Sequence, residues 1–379
     1  MNKRFKLGFI GGGINSAVGN THFIASQMDG RFVVEAGCFS RHPQINHQTS
    51  ELWHISPSKL YDNWEKLLVH EAGNLDAVVV LTPTPEHLEP VIQALKQGYP
   101  VICEKALASN SADALLIKEI QAQNQGFLTV TYNYTGYPML RELKHLIEQG
   151  KLGSIEQLHI EMPQEGFIRL NRQGQPMLPQ PWRLHDGDLP TLSLDLGVHV
   201  HNIIDFVTGE KPLEVVAMQS SRGRFRQVLD NTICIARYTN DLECSIWFSK
   251  SALGYRNGLR VRVFGELGSA EWHQMEPEVL IYQDNYGHNM VIDRASVDVS
   301  MAQLPRYNRF KAGHPAGFIE AFANLYWDIG QSLQSYQQQG QQTPMDNVFT
   351  VDDALEGLLM LEAMTNSSQN HRWQVVQNI

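Results

Sequence analysis

The feature that most constrains this chain is a run of three glycines directly after a short apolar stretch, in KLGFIGGGINSAVGNTHF at residues 6–23. Glycines at 11–13 have no Cβ, so the chain can turn sharply and its backbone can approach a bound pyrophosphate closely. A helix after such a turn would present free N–H groups and its positive dipole end to that phosphate. The usual G-x-G-x-x-G spacing is only partly met, because Ser16 occupies the third position and the next glycine is Gly19. A plain tight turn is the alternative interpretation.

The first third of the chain alternates between strand-like and helix-like segments. Helix-like segments such as EHLEPVIQALKQG (86–98) and ADALLIKEIQAQNQG (112–126) separate short β-rich runs. These runs lie at residues 5–10, 32–39, 76–82, 100–103 and 127–132. The alternation predicts βαβ units and a doubly wound parallel sheet. A glycine turn after the first strand of such a series favours nucleotide binding.

The pattern changes at about residue 154 to longer runs that alternate apolar and polar residues, which predicts an antiparallel sheet with one buried face. These runs lie at 154–162, 213–221, 231–239, 242–249, 258–266 and 269–275. The loop-like interval 163–190 is too long for a plain connection, so we expect it to lie over a binding site. Two later segments, 314–339 and 351–368, have a helical pattern.

Composition excludes several classes of protein. With 379 residues the chain is long enough for two domains. Its 30 Lys+Arg against 40 Asp+Glu, a net charge of −10, offer no basic surface for nucleic acid. No apolar run approaches a membrane span and the first residues lack a signal-peptide pattern, so we expect a cytoplasmic enzyme. The four cysteines form no C-x-x-C pair and are expected to pack in the core.

The end of the second strand bears on the choice of dinucleotide. An NAD enzyme commonly has an acidic residue there for the ribose 2′-hydroxyl, but this chain has CFSRHPQ, with Ser40 and Arg41. A guanidinium suits the 2′-phosphate of NADP because its fork pairs with phosphate oxygens. The sequence therefore predicts NAD(P) with a slight preference for NADP, and a solvated surface arginine is the alternative.

Three stretches carry a resemblance to a known family: the glycine turn, AVVVLTPTPEHLEPVIQALKQGYPVICEKALA at 77–108 and LDLGVHVHNIIDFVTG at 194–209. Together they resemble the Gfo/Idh/MocA oxidoreductases, the family of glucose-fructose oxidoreductase and inositol dehydrogenase, over most of the chain. The family's Glu-Lys-Pro motif is matched by Glu104 and Lys105, with Ala106 in place of proline. Its second motif, an aspartate and a histidine four residues apart, is matched by Asp195 and His199.

The resemblance implies an α/β protein with an N-terminal Rossmann domain at residues 1–131. It also implies a C-terminal α/β domain at residues 132–379, with a large open, mainly antiparallel sheet. One face of that sheet would form a homodimer or homotetramer. The implied activity is an NAD(P)-dependent dehydrogenase that transfers hydride to or from a hydroxyl carbon of a sugar, polyol or sugar derivative, in the cleft between the domains.

The residues of the two motifs suit this chemistry. If residues 191–207 are helical, Asp195 and His199 lie one turn apart and can face one site. His199 is the candidate base for the hydroxyl proton, because imidazole exchanges protons near neutral pH. Asp195 would orient the imidazole or bind the substrate. Lys105 would stabilise negative charge on the reacting oxygen, and Glu104 would help to fix the loop.

The remaining candidates lie at the ends of strands and in the long loop, where open α/β sheets bind ligands and where an aromatic face and a guanidinium could hold a sugar or an acid group. The predicted cofactor-binding residues are Gly11, Gly13, Ile14, Asn15, Ser40, Arg41, Thr82, Pro83, Thr84, His87, Glu104 and Lys105. The predicted substrate-binding residues are Lys105, Asn133, Tyr134, Trp182, Arg183, Asp195 and His199.

Several alternatives stay open at this point. Asp195 and His199 could share a metal, but no clear third and fourth ligands are present, so no metal is expected. Lys105 could be a surface lysine, and His199 and His201 could be packed helix residues. The fold would also suit an NAD-retaining glycoside hydrolase or a non-catalytic NAD(P)-binding regulatory protein.

Overall fold

The computed structural model describes residues 4–378, and these form two compact units. The first unit comprises residues 4–136 together with Phe318–Leu355, and the second comprises Tyr137–Gly317 together with residues 356–378. The first unit thus includes a late segment that lies outside residues 1–131. The sequence-based domain division at residue 131 stays a prediction.

The helices and strands are numbered along the chain. Within the described residues the α-helices are α1 Gly19–Met28, α2 Pro43–Leu52, α3 Trp64–His70, α4 Leu88–Lys96, α5 Ser111–Gln123, α6 Pro138–Glu148, α7 Val198–Thr208, α8 Phe318–Gln339 and α9 Val351–Asn370. The strands are β1 Phe5–Gly11, β2 Phe32–Cys38, β3 Ala77–Leu81, β4 Val101–Glu104, β5 Leu128–Thr131, β6 Ile155–Pro163, β7 Pro212–Ser220, β8 Asn231–Tyr238, β9 Glu243–Ser249, β10 Arg260–Gly265, β11 Gly268–His273, β12 Val279–Asp284, β13 Asn289–Asp293 and β14 Gln374–Val375. No helix among the described residues is both long enough and apolar enough to span a membrane.

The first unit contains a five-stranded parallel sheet in the order β2-β1-β3-β4-β5. Every residue of β3, β4 and β5 is buried, as in a sheet covered by helices on both faces. This explains why these strands are continuous β-branched and apolar runs rather than alternating ones. The order changes direction between β1 and β3, so the loops at the carboxyl ends of these strands are where such a sheet binds ligands.

Helix α8 packs against the turn that follows β5. A Cβ atom on Gly136 would lie 2.0 Å from the carbonyl oxygen of Ala321, so only glycine permits this contact. The side-chain amide of Asn324 donates to the Gly136 carbonyl at 2.8 Å. The late segment is therefore an integral part of the unit that holds the parallel sheet.

The second unit contains a nine-stranded sheet in the order β13-β12-β11-β10-β6-β9-β8-β7-β14. Only β6 and β9 pair in parallel, and the other neighbours are antiparallel. Burial alternates along β8, and α6 and α7 contact β11 and β6. The predicted fold class, a doubly wound parallel sheet plus a mainly antiparallel open sheet, is confirmed.

Two segments near the predicted site depart from regular structure. Residues 163–190 are mostly irregular, with a short 3-10 turn at Pro181–Leu184. Residues 193–197 form a π-helical turn that runs directly into α7. The segment 191–207 is therefore helical as expected, but it contains a wide turn of the kind that often occurs at functional sites.

Candidate functional site

The glycine turn has a geometry that side chains would prevent. Gly11 and Gly12 have φ angles of 81° and 77°, in the left-handed region that favours glycine. A Cβ on Gly12 would lie 2.5 Å from Cδ1 of Leu81, and one on Gly11 would lie 2.8 Å from the backbone nitrogen of Thr82. The turn is thus pressed against the end of β3 by its backbone alone.

Gly19 corresponds to the third glycine of the G-x-G-x-x-G pattern. It is the first residue of α1, and a Cβ there would lie 1.8 Å from the carbonyl oxygen of Gly12. The Ser16 hydroxyl accepts hydrogen bonds from the backbone N–H groups of Val18 and Gly19, at 3.3 and 3.2 Å. The irregular spacing therefore reflects a turn three residues longer than usual, in which the close approach of helix and strand is retained.

This turn fits the pyrophosphate of a dinucleotide. The first N–H groups of α1 have no acceptor within the helix, and they lie beside a backbone without Cβ atoms. The Ile14 N–H donates to the Thr49 hydroxyl at 3.1 Å, which holds the start of the long turn. Ile14 and Asn15 are exposed. A plain tight turn would not require the contact between Gly19 and Gly12.

The segment after β2 is ordered by a buried asparagine. The Asn46 side-chain oxygen accepts from the N–H groups of Phe39 and Ser40, at 2.7 and 3.3 Å. The Arg41 side chain is 79% exposed and pairs with Glu86 at 3.5 Å. Surface pairs of this kind contribute only about 0–1 kcal/mol, so the guanidinium can exchange this partner for a stronger one.

The loop after β3 is held from inside by His87. Its ring is buried, with one nitrogen 2.7 Å from the Thr82 carbonyl oxygen and the other 2.8 Å from that of Ala106. Burial lowers the pKa of His87, although the two carbonyls oppose this. The imidazole therefore bridges the loop after β3 and the segment that follows Lys105. Thr84 is also buried, and the Thr82 hydroxyl donates to the Glu86 carbonyl at 3.1 Å.

The end of β4 carries a buried carboxylate immediately before Lys105. Glu104 accepts a hydrogen bond from the Thr131 hydroxyl at 2.6 Å and lies 3.1 Å from Nε2 of His22. Nδ1 of His22 in turn contacts the Tyr326 hydroxyl at 2.8 Å. Burial raises the pKa of Glu104, but His22, Lys105 and Thr131 outweigh it and keep that pKa below its usual value. Glu104 is thus an ionised, fixed support for Lys105.

A cis peptide bond joins Lys105 to Ala106. His22 was not predicted from the sequence to be part of this support. The available signal was its position: it lies three residues after Gly19, on the helix that the glycine turn introduces.

The turn after β5 places two predicted residues inside the first unit. Asn133 is 3% exposed, and its amide nitrogen has no hydrogen-bond partner within the described residues. Tyr134 is 6% exposed and contacts the Phe318 ring edge to face, with centroids 5.9 Å apart. An unsatisfied buried donor at the carboxyl edge of the sheet is a group that a bound amide or hydroxyl can satisfy.

Three of the predicted substrate-binding residues meet in the second unit. Asp195 lies in the π-helical turn, and its Oδ2 contacts the Arg183 guanidinium. The guanidinium carbon lies 4.5 Å from the centroid of the Trp182 ring. The long loop therefore reaches the helical segment that carries Asp195, and its predicted place over a binding site stays a prediction.

Lys250 completes this cluster and was not predicted from the sequence. Its ammonium group contacts the same Asp195 oxygen, and the residue is only 9% exposed. The ammonium lies 5.4 Å from the centroid of the Phe167 ring. Lys250 directly follows β9, and a lone lysine at the end of this alternating strand was the signal available.

The long loop is fastened to the start of the helical segment by Asp186. Its carboxylate accepts from the N–H groups of Thr191 and Leu229, both at 2.8 Å. The Thr191 hydroxyl also donates to the Arg183 carbonyl at 3.1 Å. The backbone at Arg183 is therefore held by Thr191, which Asp186 holds in turn.

The histidines of α7 have different surroundings. His199 is 4% exposed and lies one turn after Asp195. His201 lies 3.2 Å from Glu356, and Lys211 contacts both Glu356 and Asp205, at 3.1 and 2.7 Å. His201 and Asp205 thus belong to a partly buried ionic network with Glu356 and Lys211.

The predicted catalytic residues are divided between the units. Lys105 belongs to the first, and Asp195 and His199 belong to the second. Within residues 4–378, no group of three or more His, Cys, Asp or Glu side chains has an arrangement that could hold a metal ion.

Comparison with protein families decides the relationship. Residues 5–132 match the model described as oxidoreductase family, NAD-binding Rossmann fold, and residues 140–271 match the GFO/IDH/MocA C-terminal domain. The chain belongs to the Gfo/Idh/MocA oxidoreductase family. The resemblance noted in the sequence is confirmed.

Other members of the Gfo/Idh/MocA family match along the whole chain. An uncharacterized oxidoreductase of Bacillus subtilis, YfiI, is 26% identical over 98% of this chain and 97% of its own. An oxidoreductase structure from Sinorhizobium meliloti is 30% identical with a TM-score of 0.85, covering 98% of this chain and 99% of that one. An inositol dehydrogenase homolog from Azotobacter vinelandii, complexed with NADH and myo-inositol, is 25% identical with a TM-score of 0.88, covering 98% of both chains.

Proposed function

We propose that this protein is an NAD(P)-dependent dehydrogenase that oxidises or reduces a hydroxyl-bearing carbon of a sugar, polyol or sugar derivative. The observation that carries the proposal is the position of Lys105 in the first unit. It follows a buried, ionised Glu104 at the carboxyl edge of the sheet whose first turn fits a pyrophosphate. An ammonium group at this edge suits a reaction in which negative charge develops on a substrate oxygen.

Relatives support the substrate class. The homolog from Azotobacter vinelandii holds NADH and myo-inositol, and the myo-inositol 2-dehydrogenase of Thermotoga maritima is 25% identical over 62% of this chain and 66% of its own. Polyols carry several hydroxyl groups of similar chemistry, so these relatives favour a hydroxyl-rich substrate without naming it.

The proposed mechanism divides the work between three side chains. When bound, the dinucleotide supplies the hydride acceptor or donor. His199 takes the hydroxyl proton during oxidation, because imidazole is a base near neutral pH. Lys105 donates a hydrogen bond to the same oxygen and stabilises its developing charge. In reduction the two residues return the proton and polarise the carbonyl.

Asp195 acts through its charge in this proposal. Its carboxylate contacts Arg183 and Lys250, which favours the ionised form. An ionised carboxylate accepts hydrogen bonds from substrate hydroxyls and stabilises a protonated His199. Asp195 therefore serves to hold and orient, while the proton passes through His199.

The choice between NAD and NADP is part of the proposal. The preference for NADP rests on Arg41 alone, because its weak pair with Glu86 leaves a guanidinium available for a 2′-phosphate. The Azotobacter vinelandii homolog structures contain NADH or NAD+, whereas the D-xylose 1-dehydrogenase [NADP(+)] of Haloarcula marismortui is 28% identical over 37% of this chain.

Self-association through the open sheet is proposed as well. Ile233 and Ile235 are two residues apart in β8, so both lie on its outer face, and they are 46% and 53% exposed. An exposed apolar strip of this kind favours association with a second copy. Light scattering after gel filtration should give a dimer or tetramer mass, and a monomer at micromolar concentration would contradict this part of the proposal.

The decisive experiment is a substrate screen followed by variants. Purified protein is mixed with polyols, sugars and sugar acids, and formation of NADH or NADPH is followed by absorbance. With an active substrate, Lys105→Ala and His199→Ala should each lower kcat by at least ~100-fold, the range of acid–base and electrostatic catalysis. Cofactor affinity, measured by NADH fluorescence, should change little.

Lys96→Ala, at an exposed position of α4, should leave kcat unchanged. Unchanged kcat in both site variants would remove the catalytic assignment. Cleavage of aryl glycosides without net NADH formation would replace the dehydrogenase with a hydrolase that retains its cofactor.

A further inference from the structure

The loops that surround Asp195 in the second unit are basic, although the whole chain has a net charge of −10. Residues 163–190 and 221–230 together contain six arginines against four acidic residues. The arginines are Arg169, Arg172, Arg183, Arg222, Arg224 and Arg226. Lys250, which follows β9, adds a seventh cation.

The two loops are joined to each other and to Lys250. The backbone N–H of Arg224 donates to the Phe167 carbonyl at 2.9 Å, and the rings of Phe167 and Phe225 meet with centroids 5.4 Å apart. The backbone N–H of Phe167 donates to the Lys250 carbonyl oxygen at 2.8 Å. The backbone N–H of Lys250 donates to the Asp230 carbonyl oxygen, also at 2.8 Å. The basic loops and the Asp195 cluster are therefore parts of one structure within the second unit.

Burial alternates along residues 222–226. Gly223 and Phe225 are buried, whereas Arg222, Arg224 and Arg226 are exposed. A Cβ on Gly223 would lie 2.8 Å from the Phe167 carbonyl oxygen, so the segment is pressed closely onto the neighbouring loop. Because Gly223 and Phe225 pack inward, the three arginines that alternate with them are turned toward solvent, side by side along the segment. This set of three residues is called the arginine row below.

Of the four acidic residues in the loops, Glu165 pairs with Arg169 at 3.3 Å, and two others accept hydrogen bonds from backbone N–H groups. Asp230 accepts from the N–H groups of Arg222 and Gly223, at 2.8 and 2.7 Å. Asp186 accepts from two further backbone N–H groups, those of Thr191 and Leu229. Among residues 4–378, the side chains of the arginine row donate only to neutral oxygens, those of Ser220, Ile168 and Ser221. The side of the second unit that carries Asp195 therefore has surplus positive charge.

We propose that the substrate is an anionic carbohydrate, a sugar acid or a sugar phosphate, attracted by the arginine row and bound through its anionic group near Arg183 and Lys250. This inference rests on the proposed dehydrogenase function. A neutral polyol gains nothing from surplus positive charge, whereas charges of one sign around a site speed the association of the opposite sign. The effect weakens as salt shortens the screening length.

The test compares matched substrates. Initial rates are measured at low and at high ionic strength for neutral sugars and polyols, for the corresponding aldonates and uronates, and for the sugar phosphates. The proposal expects kcat/KM at least ~10-fold higher for an acid or phosphate than for its neutral parent at low salt, and a decrease of this ratio when salt is added. Whichever substrates, the acids or the phosphates, have the higher kcat/KM relative to their neutral parents identify the anionic group.

A charge variant tests the assignment to these residues. Arg222→Gln combined with Arg226→Gln should lower the ratio of anionic to neutral kcat/KM several-fold and flatten its salt dependence. Lys66→Gln combined with Lys96→Gln removes the same charge from exposed positions of the first unit and should leave the ratio unchanged. Thermal unfolding of each variant confirms that it is folded.

The contrary outcomes are distinct from failure of the proposed function. Equal or better turnover of the neutral parents at low salt would overturn the anionic substrate while the dehydrogenase remains. An unchanged ratio in the arginine variant would overturn the role of the row. Absence of any cofactor-linked turnover across all three substrate groups would instead overturn the dehydrogenase itself, and the substrate inference with it.

Discussion

At the scale of single residues, the contact between Lys250 and Asp195 determines how the carboxylate is held. Lys250→Met leaves Asp195 with one cation fewer in a buried position, which costs about 1–3 kcal/mol for a charged group that loses a partner. We expect a lower free energy of unfolding in urea and a lower kcat. Lys250→Arg retains the charge and should recover much of both.

The control for this change is Lys66→Met. Lys66 forms an exposed pair with Asp62, and such pairs contribute about 0–1 kcal/mol. If Lys250→Met were no more destabilising than Lys66→Met, the buried pair would have no energetic role. If Lys250→Arg were as inactive as Lys250→Met, the shape of the side chain rather than its charge would matter.

Arg41 decides between two dinucleotides that differ by one phosphate. Arg41→Ala should weaken NADP binding about 10-fold or more, equivalent to about 1.4 kcal/mol, because one charge-assisted contact to the 2′-phosphate is lost. NAD lacks this phosphate, so its affinity should change little. Titration of both reduced dinucleotides by fluorescence measures the difference, and equal weakening of the two would reject the assignment.

The residues of the candidate site were predictable to different degrees. Arg183 and Asp195 were expected, because a Trp-Arg pair in a polar loop and an aspartate in a family motif are visible in one chain. Lys250 and His22 were not, because each acts through a partner far away in sequence. Which carboxylate a lysine will meet depends on the packing of strands and loops, and local pattern carries no such information.

At the scale of elements, the contact between the glycine turn and α1 is the most specific feature. Gly19→Ala places a Cβ 1.8 Å from the Gly12 carbonyl oxygen, so the helix must move away from the turn. We expect NADH affinity to fall at least ~10-fold, because a helix terminus acts on an anion only within its first turn. Calorimetry of cofactor binding measures this change.

Gly166→Ala is the matched control, because a Cβ at Gly166 meets no atom within 4 Å and its backbone has no positive φ. Binding of NADH should be unaffected there. Normal affinity in Gly19→Ala would show that the turn tolerates a shift of the helix and that the close approach is not needed for the dinucleotide.

The order of strands and helices in the first third was predictable, because their periodicity is local and strong. The irregular spacing of the glycines was harder to interpret, since three extra residues conceal a contact that depends on the path of the turn. The π-helical turn at Ser193–Gly197 was not predictable either. It widens a segment whose composition is that of an ordinary helix.

At the scale of the whole molecule, acid should destabilise the protein through His87. Burial holds the pKa of the folded His87 below 6.5, so below that pH the unfolded chain binds a proton that the folded chain does not. Its contribution to stability is fully present above pH 6.5 and is lost as the pH falls through the folded pKa. The loss is at most about 1.4 kcal/mol per pH unit for one proton.

Urea unfolding between pH 5 and 8 tests this linkage. His87→Gln should reduce the dependence of the unfolding free energy on pH, and His42→Gln, at an exposed position, controls for the loss of an imidazole. An unchanged pH dependence in His87→Gln would assign acid sensitivity to other groups. The buried Glu104, whose pKa is also lowered, would act in the same direction at lower pH.

The assignment of chain segments to the two units was the least predictable property of the fold. Helix α8 was expected from its pattern, but its membership of the unit with the parallel sheet depends on the contact of Ala321 with Gly136. These residues are far apart in sequence, and either could have packed elsewhere without any change in local pattern.

The absence of a metal requirement is the last expected property of the molecule. A metal at Asp195 would compete with Arg183 and Lys250, two cations that already contact one oxygen of its carboxylate. The bound cations therefore supply the positive charge that a metal would bring, and hydride transfer needs no further Lewis acid. Dialysis against a chelator should leave kcat unchanged for the substrate found in the screen. A loss of activity that added zinc or magnesium reverses would show that the carboxylate exchanges its partners for a metal and would overturn this mechanism.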